Sequence, residues 1–264
     1  MKTGIPFSIL CIALALFSAC EKVINIDLKN AAPKVIIEGT ITDDPFTLSH
    51  TVLVSKSNSF SSNGKNSPVS AALVIVEDVT SNVIDTLEEI NPGRYKTQKI
   101  TGIEGHTYKL RAIVDGIAYT AISTMPKAVS LDSLYIQTLP FFGEEFKQVI
   151  PVFKDPIGQE NYYRFSLRVN DSVQNDFEAW DDLITNGKVN SRPLGINAQE
   201  LLDGDDTVYV RMNSTEKAIY DFFYTLENAS GNGQTPGNPI SNITNGAIGY
   251  FGAITVRERY VIVP

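Results

Sequence analysis

The chain has 264 residues, of which 43% are hydrophobic and 20% are charged, a composition typical of a globular protein rather than a disordered one. Its 22 lysines and arginines against 30 aspartates and glutamates give a formal net charge of −8. Proteins that bind nucleic acids concentrate Lys and Arg to displace counterions from the phosphates, so this charge argues against a nucleic-acid partner. It also argues against a purely electrostatic attachment to a membrane.

The first twenty residues have the order of a secretory signal. A positive charge precedes an apolar stretch, Ile5 to Phe17, which is too short to span a bilayer comfortably, and a small pair of residues then leads to Cys20. This pattern resembles the lipobox of bacterial lipoproteins, in which the cysteine is acylated before the peptide is cut. We therefore expect residues 1-19 to be removed and residues 20-33 to form a tether held on a membrane by acyl chains on Cys20.

The chain contains no cysteine after Cys20. The two cysteines are Cys11, inside the expected signal, and Cys20 at the expected cleavage point. The mature chain would therefore keep no thiol for a disulfide, a metal or nucleophilic catalysis. Its stability must come from ordinary burial of apolar side chains.

Alternation of apolar and polar residues predicts a mainly β protein. Residues 34-125 contain about seven short strands and no helix, judged by period-two alternation. Asp115-Gly116 between two such runs is a hairpin signal, because both central residues of a type I′ turn need positive φ. We predict a first domain over 34-125, an immunoglobulin-like or transthyretin-like β-sandwich.

A second, β-rich sandwich-like domain with one helix is predicted over 131-264. Its clearest strand runs from Asn161 to Val169. The helix is expected near 214-228, with Asn213 as its N-cap and Glu216 three residues later, as in a capping box. The apolar residues at helical spacing, which we expect to pack on the sheet, are Ile219, Phe222, Phe223 and Leu226.

Two aromatic residues are candidate ligand contacts. Phe60 is the single aromatic residue in a loop rich in Ser and Asn, from Ser55 to Ser70, which otherwise has the composition of a solvated loop. Trp180 is the only tryptophan and lies among acidic residues. Its ring either fills the edge of the sandwich or stacks on a ligand, for which sugars and peptides are the usual classes.

Two pairs of acidic residues are weak candidates for a metal site. Asp181 and Asp182, and further along Asp205 and Asp206, offer the carboxylate oxygens that Ca²⁺ binds. Their spacing does not fit an EF-hand, and solvated turns explain the same residues. We therefore expect neither a metal nor another cofactor.

Sequence motifs of catalysis are missing. The chain has no Gly-x-Ser-x-Gly turn and no phosphate-binding glycine loop, and neither of its two histidines lies in a recognisable motif. We therefore expect a protein that is not an enzyme.

Several short strings together resemble one family. They are Cys20 to Asp27, Pro33 to Gly39, Asp181-Asp182 with Asn186-Gly187-Lys188, Gly204 to Val208, Asn242-Ile243, and Gly246 to Gly252. These strings, spread over nearly the whole mature chain, are similar to the Bacteroidota lipoproteins catalogued as domain of unknown function 4249. That family has no established catalytic residues. The resemblance implies a two-domain β protein, often encoded beside TonB-dependent outer-membrane receptors.

Together, the lipobox and the resemblance predict a noncatalytic outer-membrane lipoprotein. We expect it to capture a ligand as an accessory component of a TonB-dependent transporter. The alternative is a structural or adhesive cell-surface protein in which the first sandwich acts as a spacer. The sequence leaves open the ligand and the face of the outer membrane, periplasmic or exterior, on which the protein lies.

Overall fold

The computed structural model describes residues 32–44, 50–58, 66–141, 144–195, 202–229 and 237–264. Cys20, most of the expected tether and Phe60 lie outside this part of the chain. Sixteen strands and one helix form within it, which confirms the prediction of a mainly β fold. No helix among these residues is both long and apolar enough to cross a bilayer.

The strands follow one another along the chain in two groups. The first group is β1 (Val35–Thr42), β2 (Thr51–Lys56), β3 (Ser67–Pro68), β4 (Leu73–Asp78), β5 (Val83–Thr86), β6 (Glu88–Asn91), β7 (Arg94–Lys96), β8 (Thr107–Val114) and β9 (Ile117–Thr124). The second is β10 (Ser133–Phe141), β11 (Glu144–Lys154), β12 (Tyr162–Val169), β13 (Ser172–Asp181), β14 (Val189–Asn190), β15 (Thr207–Thr215) and β16 (Ile248–Ile262). The helix, α1 (Lys217–Ala229), lies between β15 and β16.

Two sheets enclose the first hydrophobic core. One contains β1, β2, β7 and β6, and the other has the order β5-β4-β8-β9. Successive side chains of a strand point to opposite faces, so every second residue of β1 and β8 enters the core. The hairpin predicted at Asp115-Gly116 is confirmed, with φ of 51° and 79°. Buried residues of this core include Ile37, Ile41, Val52, Val54, Val74, Val76, Tyr95, Tyr108 and Leu110.

The second core lies between β10-β11-β14 and the strands β13-β12-β15-β16. The strand predicted from Asn161 to Val169 is confirmed as β12, whose Tyr163, Phe165 and Leu167 are buried in this core. Sandwich-like packing of several sheets is therefore confirmed. The likeness of the first sandwich to an immunoglobulin or transthyretin fold stays a prediction.

Strand β16 belongs to both halves of the molecule. Its residues 248–254 pair in parallel with β1, and its residues 255–262 pair antiparallel with β15. One nine-stranded sheet therefore runs through both sandwiches. The first core contains Ile243, Ala247, Phe251 and Ala253, so it is not built from residues 34-125 alone. The division into two domains stays a prediction.

Asp43 marks the point at which β16 leaves β1. One oxygen of its carboxylate accepts the backbone N–H of Val256 at 2.7 Å, and the other contacts Nη1 of Arg257 at 2.7 Å. Close by, the hydroxyl of Ser123 accepts the N–H of Ala253 at 2.8 Å. These bonds satisfy backbone groups at the point where β16 changes its partner.

The helix begins later than the sequence predicts, at Lys217 rather than near 214. Strand β15 continues to Thr215 because its residues pair with both β12 and β16, and Asn213 lies within that strand. The prediction that Asn213 caps the helix is therefore wrong. The carbonyl of Glu216 accepts the first helical N–H groups, and its carboxylate accepts the N–H of Thr124 at 3.1 Å. Burial raises the pKa of Glu216.

The apolar side of α1 packs on the sheet, as predicted. Ile219, Phe222 and Phe223 are buried and form a third cluster with Ala179 of β13. Burial of this side holds the helix on the face of the sheet that points away from the two cores.

Gly249 allows the close approach of β16 to β1, and its replacement tests this pairing. Its φ is 113°, and a Cβ there would lie 1.9 Å from the carbonyl oxygen of Ile37. We expect Gly249→Ala to lower the free energy of unfolding by about 3 kcal/mol or more, because backbone must move on both strands.

The matched control is Gly105→Ala. Gly105 also has a positive φ, 79°, but a Cβ there meets nothing within 4 Å. In this variant the free energy of unfolding should fall only by the cost of placing a residue with a Cβ at positive φ, about 1 to 2 kcal/mol. Urea unfolding measures both variants, and equal losses would contradict a tight contact between β1 and β16.

Candidate functional site

The nine-stranded sheet has an outer face, opposite the two cores, that α1 covers only in part. On β12 the outer positions are Arg164, Ser166 and Arg168, because the alternate residues enter the core. The strand register places Arg168 opposite Tyr209 of β15 and Ser166 opposite Arg211. Arg168 and Ser166 of β12 thus lie side by side with Tyr209 and Arg211 of β15.

In the sheet, β16 lies on the other side of β15 and adds residues to this surface. Its Glu258 lies opposite Arg211, and its Tyr260 lies opposite Tyr209. A shallow cavity of about 130 Å³ opens here, with Val173 of β13 at its side. We call this surface the arginine–tyrosine face and define it as Ser166, Arg168, Tyr209, Arg211, Glu258 and Tyr260.

Arg168 and the two tyrosines are in contact with one another. The guanidinium carbon of Arg168 lies 3.5 Å from the ring centroid of Tyr209, a cation–π geometry, and Nη1 donates to the carbonyl of Asn170 at 2.6 Å. The ring centroids of Tyr209 and Tyr260 are 5.6 Å apart. Tyr260 is 65% exposed, so its ring is available to a ligand.

Arg211 is held by two carboxylates. Its Nη2 lies 3.2 Å from Oε2 of Glu258 and 3.8 Å from Oδ2 of Asp44. Its Nε also donates to Glu258, at 3.3 Å. These contacts orient the guanidinium at the rim of the cavity.

Arg164 lies further along the same face, beneath α1. Its guanidinium carbon is 4.2 Å from the ring centroid of Phe223 and 5.1 Å from that of Phe177. Within the described part of the chain no carboxylate pairs with it, and its buried Nε has no hydrogen-bond partner. Burial lowers the pKa of Arg164; the nearby charge of Arg211 acts in the same direction, and Tyr250 opposes it.

One guanidinium of this face has no ion pair. Arg211 is paired with Glu258 and Asp44, whereas Arg168 has no carboxylate partner among the described residues. The whole chain carries −8. An unpaired guanidinium on an acidic protein is a local site that attracts anions.

Trp180 does not have the exposed ring that its candidate role as a ligand contact requires. Only 2% of the residue is exposed, and its ring packs 4.4 Å from that of Phe165, centroid to centroid. The guanidinium carbon of Arg192 lies 3.7 Å from the tryptophan ring. Trp180 is on the core side of β13, so it fills the sandwich, which was the alternative prediction.

The acidic pair Asp181 and Asp182 belongs to a hydrogen-bonded turn. Asp182 is buried and accepts the backbone N–H of Asn161 at 3.0 Å and the side-chain amide of Asn186 at 3.3 Å. Asp181 accepts the hydroxyl of Tyr220 at 3.2 Å.

The buried Asp155, directly after β11, supports the same turn. It accepts the hydroxyl of Tyr163 and the N–H of Gly187. Burial, and then the bond to Asp155, raise the pKa of Tyr163. The string Asp181-Asp182 with Asn186-Gly187-Lys188 therefore builds local structure.

Asp205 and Asp206 lie in the turn before β15. Asp205 has a φ of 69° and its N–H donates to the carbonyl of Val263, while Asp206 accepts the side-chain amide of Asn170 at 2.7 Å. That bond lowers the pKa of Asp206. No group of three or more His, Cys, Asp or Glu side chains is arranged to hold a metal ion in the residues that the structure describes.

The sequence reasoning missed the arginine–tyrosine face. The one available signal was the outer row of β12, where Arg164 and Arg168 occupy positions that alternate with core residues. The other rows come from β15 and β16, about 40 and 90 residues further along the chain, as the register shows. Nothing in the local pattern says that these strands are neighbours.

The fold and this face define a mainly β, sandwich-like protein with an open sheet surface that carries arginines and tyrosines. The chain belongs to the family described as Domain of unknown function (DUF4249), whose model matches residues 21–260. No curated protein matches the sequence.

Asp182 offers a test of the structural role of the acidic turn. Asp182→Ala removes the acceptor of the backbone N–H of Asn161 and one of the two acceptors of the side-chain amide of Asn186, so we expect the free energy of unfolding to fall by about 2 to 3 kcal/mol. The control is Asp203→Ala, which removes an exposed carboxylate and should change stability by less than about 0.5 kcal/mol.

Urea unfolding compares these two variants, and equal values would contradict the structural role. Thermal unfolding of the unaltered chain in Ca²⁺ and in a chelator should give the same Tm. A rise in Tm with Ca²⁺ that is lost in Asp182→Ala would instead identify a metal site.

Proposed function

We propose that the protein is a noncatalytic lipoprotein of the outer membrane that captures a ligand on the arginine–tyrosine face and works with a TonB-dependent transporter. Arginine and tyrosine are enriched where proteins bind partners, because each offers apolar contact area together with hydrogen-bond donors. The observation that carries the proposal is the open row of Arg168, Tyr209 and Tyr260 beside the charged pair of Arg211 and Glu258.

The arrangement of buried acids supports binding rather than catalysis. Asp182 belongs to the string that resembles the family and Asp155 bonds to it, and the oxygens of both buried carboxylates accept bonds from amide and hydroxyl groups. Groups held in this way stabilise turns. The arginine–tyrosine face combines charge and aromatic surface, which suits reversible capture.

The lipobox supports attachment to a membrane. Ala32, the first described residue, lies twelve positions after Cys20, and a fully extended segment of that length reaches at most about 40 Å. This reach lets an acylated Cys20 stay in the membrane while the sandwiches meet a transporter. Lipobox and family membership are the grounds for the Bacteroidota origin and for the transporter as partner.

Co-purification tests the transporter partnership. The tagged full chain, expressed in its native envelope and solubilised in mild detergent, should bring down a TonB-dependent transporter after chemical crosslinking. Clean isolation as a monomer, repeated with crosslinking, would contradict the proposal. A deletion strain that loses surface attachment but grows normally on every nutrient would favour the alternative, a structural or adhesive protein.

The role of Cys20 is tested by moving the protein off the membrane. Cys20→Ser removes the thiol that accepts the acyl chain, so we expect the protein to pass from the membrane fraction to the soluble fraction and to lose labelling by a fatty acid. Cys11→Ser is the matched control, since Cys11 lies in the expected signal and should leave both readouts unchanged. Membrane retention of Cys20→Ser would overturn the anchoring role.

A further inference from the structure

We infer that the arginine–tyrosine face binds the carboxylate of an acidic sugar. The inference rests on the proposed ligand-capture function and names the class of ligand. Its basis is the size of the cavity, the balance of charge around it and the exposed ring beside it.

The cavity is sized for one small polar group. Its volume of about 130 Å³ is well below the roughly 300 to 1,000 Å³ of pockets that enclose whole drug-sized ligands. A cavity of this volume has room for several water molecules, so a carboxylate with its adjoining atoms fits. The remainder of a longer ligand would lie on the open sheet.

The single unpaired guanidinium favours a single negative charge. Arg211 is already paired with Glu258 and Asp44, whereas Arg168 has no carboxylate partner among the described residues, and a guanidinium binds a carboxylate through two parallel hydrogen bonds. An anion between Arg168 and Arg211 also offsets the repulsion that Arg211 exerts on Arg164. The carboxylate of Glu258 at the rim repels a dianion such as phosphate more strongly than a monoanion.

The exposed tyrosine favours a sugar over other carboxylates. Tyr260 is 65% exposed and its ring is braced by Tyr209, whose own ring is held by Arg168. A sugar ring presents C–H groups on one face, which pack on an aromatic ring, and hydroxyls at its edge. The hydroxyl of Ser166, which lines the cavity, is placed to bond one of these.

Calorimetric titration of the detergent-solubilised full chain tests the inference. The probes are the trimers of galacturonate and glucuronate, the methyl ester of each, the corresponding neutral trisaccharides, and triglutamate as a peptide carboxylate. We expect at least one uronate trimer to bind at least tenfold more tightly than its ester, its neutral counterpart and triglutamate, since only the acid supplies both the charge and the ring.

Variants tie this binding to the face. Arg168→Gln should weaken uronate binding by about tenfold or more, and Tyr260→Ala should weaken it by about fivefold. The matched control is Arg111→Gln, which removes the same charge from an exposed position on β8 and should leave affinity unchanged. Urea unfolding of each variant confirms that the fold is kept.

Each result has one meaning. Equal binding of acid, ester and neutral sugar would overturn the carboxylate inference while leaving ligand capture in place, as would tighter binding of triglutamate. No binding of either uronate, or unchanged binding in Arg168→Gln, would also overturn it. Failure to recover a transporter bears only on the proposed function.

Discussion

The structure depends on one strand that completes two sheets. In β16, residues 248–254 pair in parallel with β1 and residues 255–262 pair antiparallel with β15. Both stretches are in one continuous segment of backbone, so neither sandwich has its full set of strands without it. The last strand of the chain also supplies Phe251 and Ala253 to the first core and Val261 to the edge of the second. Stability in the two halves is therefore expected to be coupled.

The candidate site also depends on β16. The outer residues of β16 are held in register with those of β15, which places Glu258 beside Arg211 and Tyr260 beside Tyr209. A slip of one residue would turn these side chains toward the core, since the side-chain period of a strand is two. Helix α1 covers the neighbouring part of the outer face with Phe222 and Phe223 and leaves open the region that contains the cavity. Pairing, helix packing and exposure thus act together to define one surface.

Local patterns in the sequence predicted individual strands and turns well, but they did not predict which strands pair with one another. Alternation located β12, and the positive-φ pair Asp115-Gly116 located a hairpin, because both depend on adjacent residues. The cap at Asn213 was wrong since pairing with β12 and β16 extends β15 past a local helix signal. The parallel pairing of β1 with β16 joins residues more than 200 positions apart, and no local rule predicts it. The arginine–tyrosine face depends on long-range pairing of this kind and was missed for that reason, whereas Trp180 attracted attention by its rarity and is a core residue.

Native-state hydrogen exchange of β16 tests the coupling of the two sandwiches most directly. If one strand holds both halves together, the slowest amides in residues 248–254 and in residues 255–262 should open with the same free energy and the same denaturant dependence, equal to those of global unfolding. Opening of residues 255–262 at a free energy lower by about 2 kcal/mol or more, with a smaller denaturant dependence, would show that the halves unfold independently and would contradict this account.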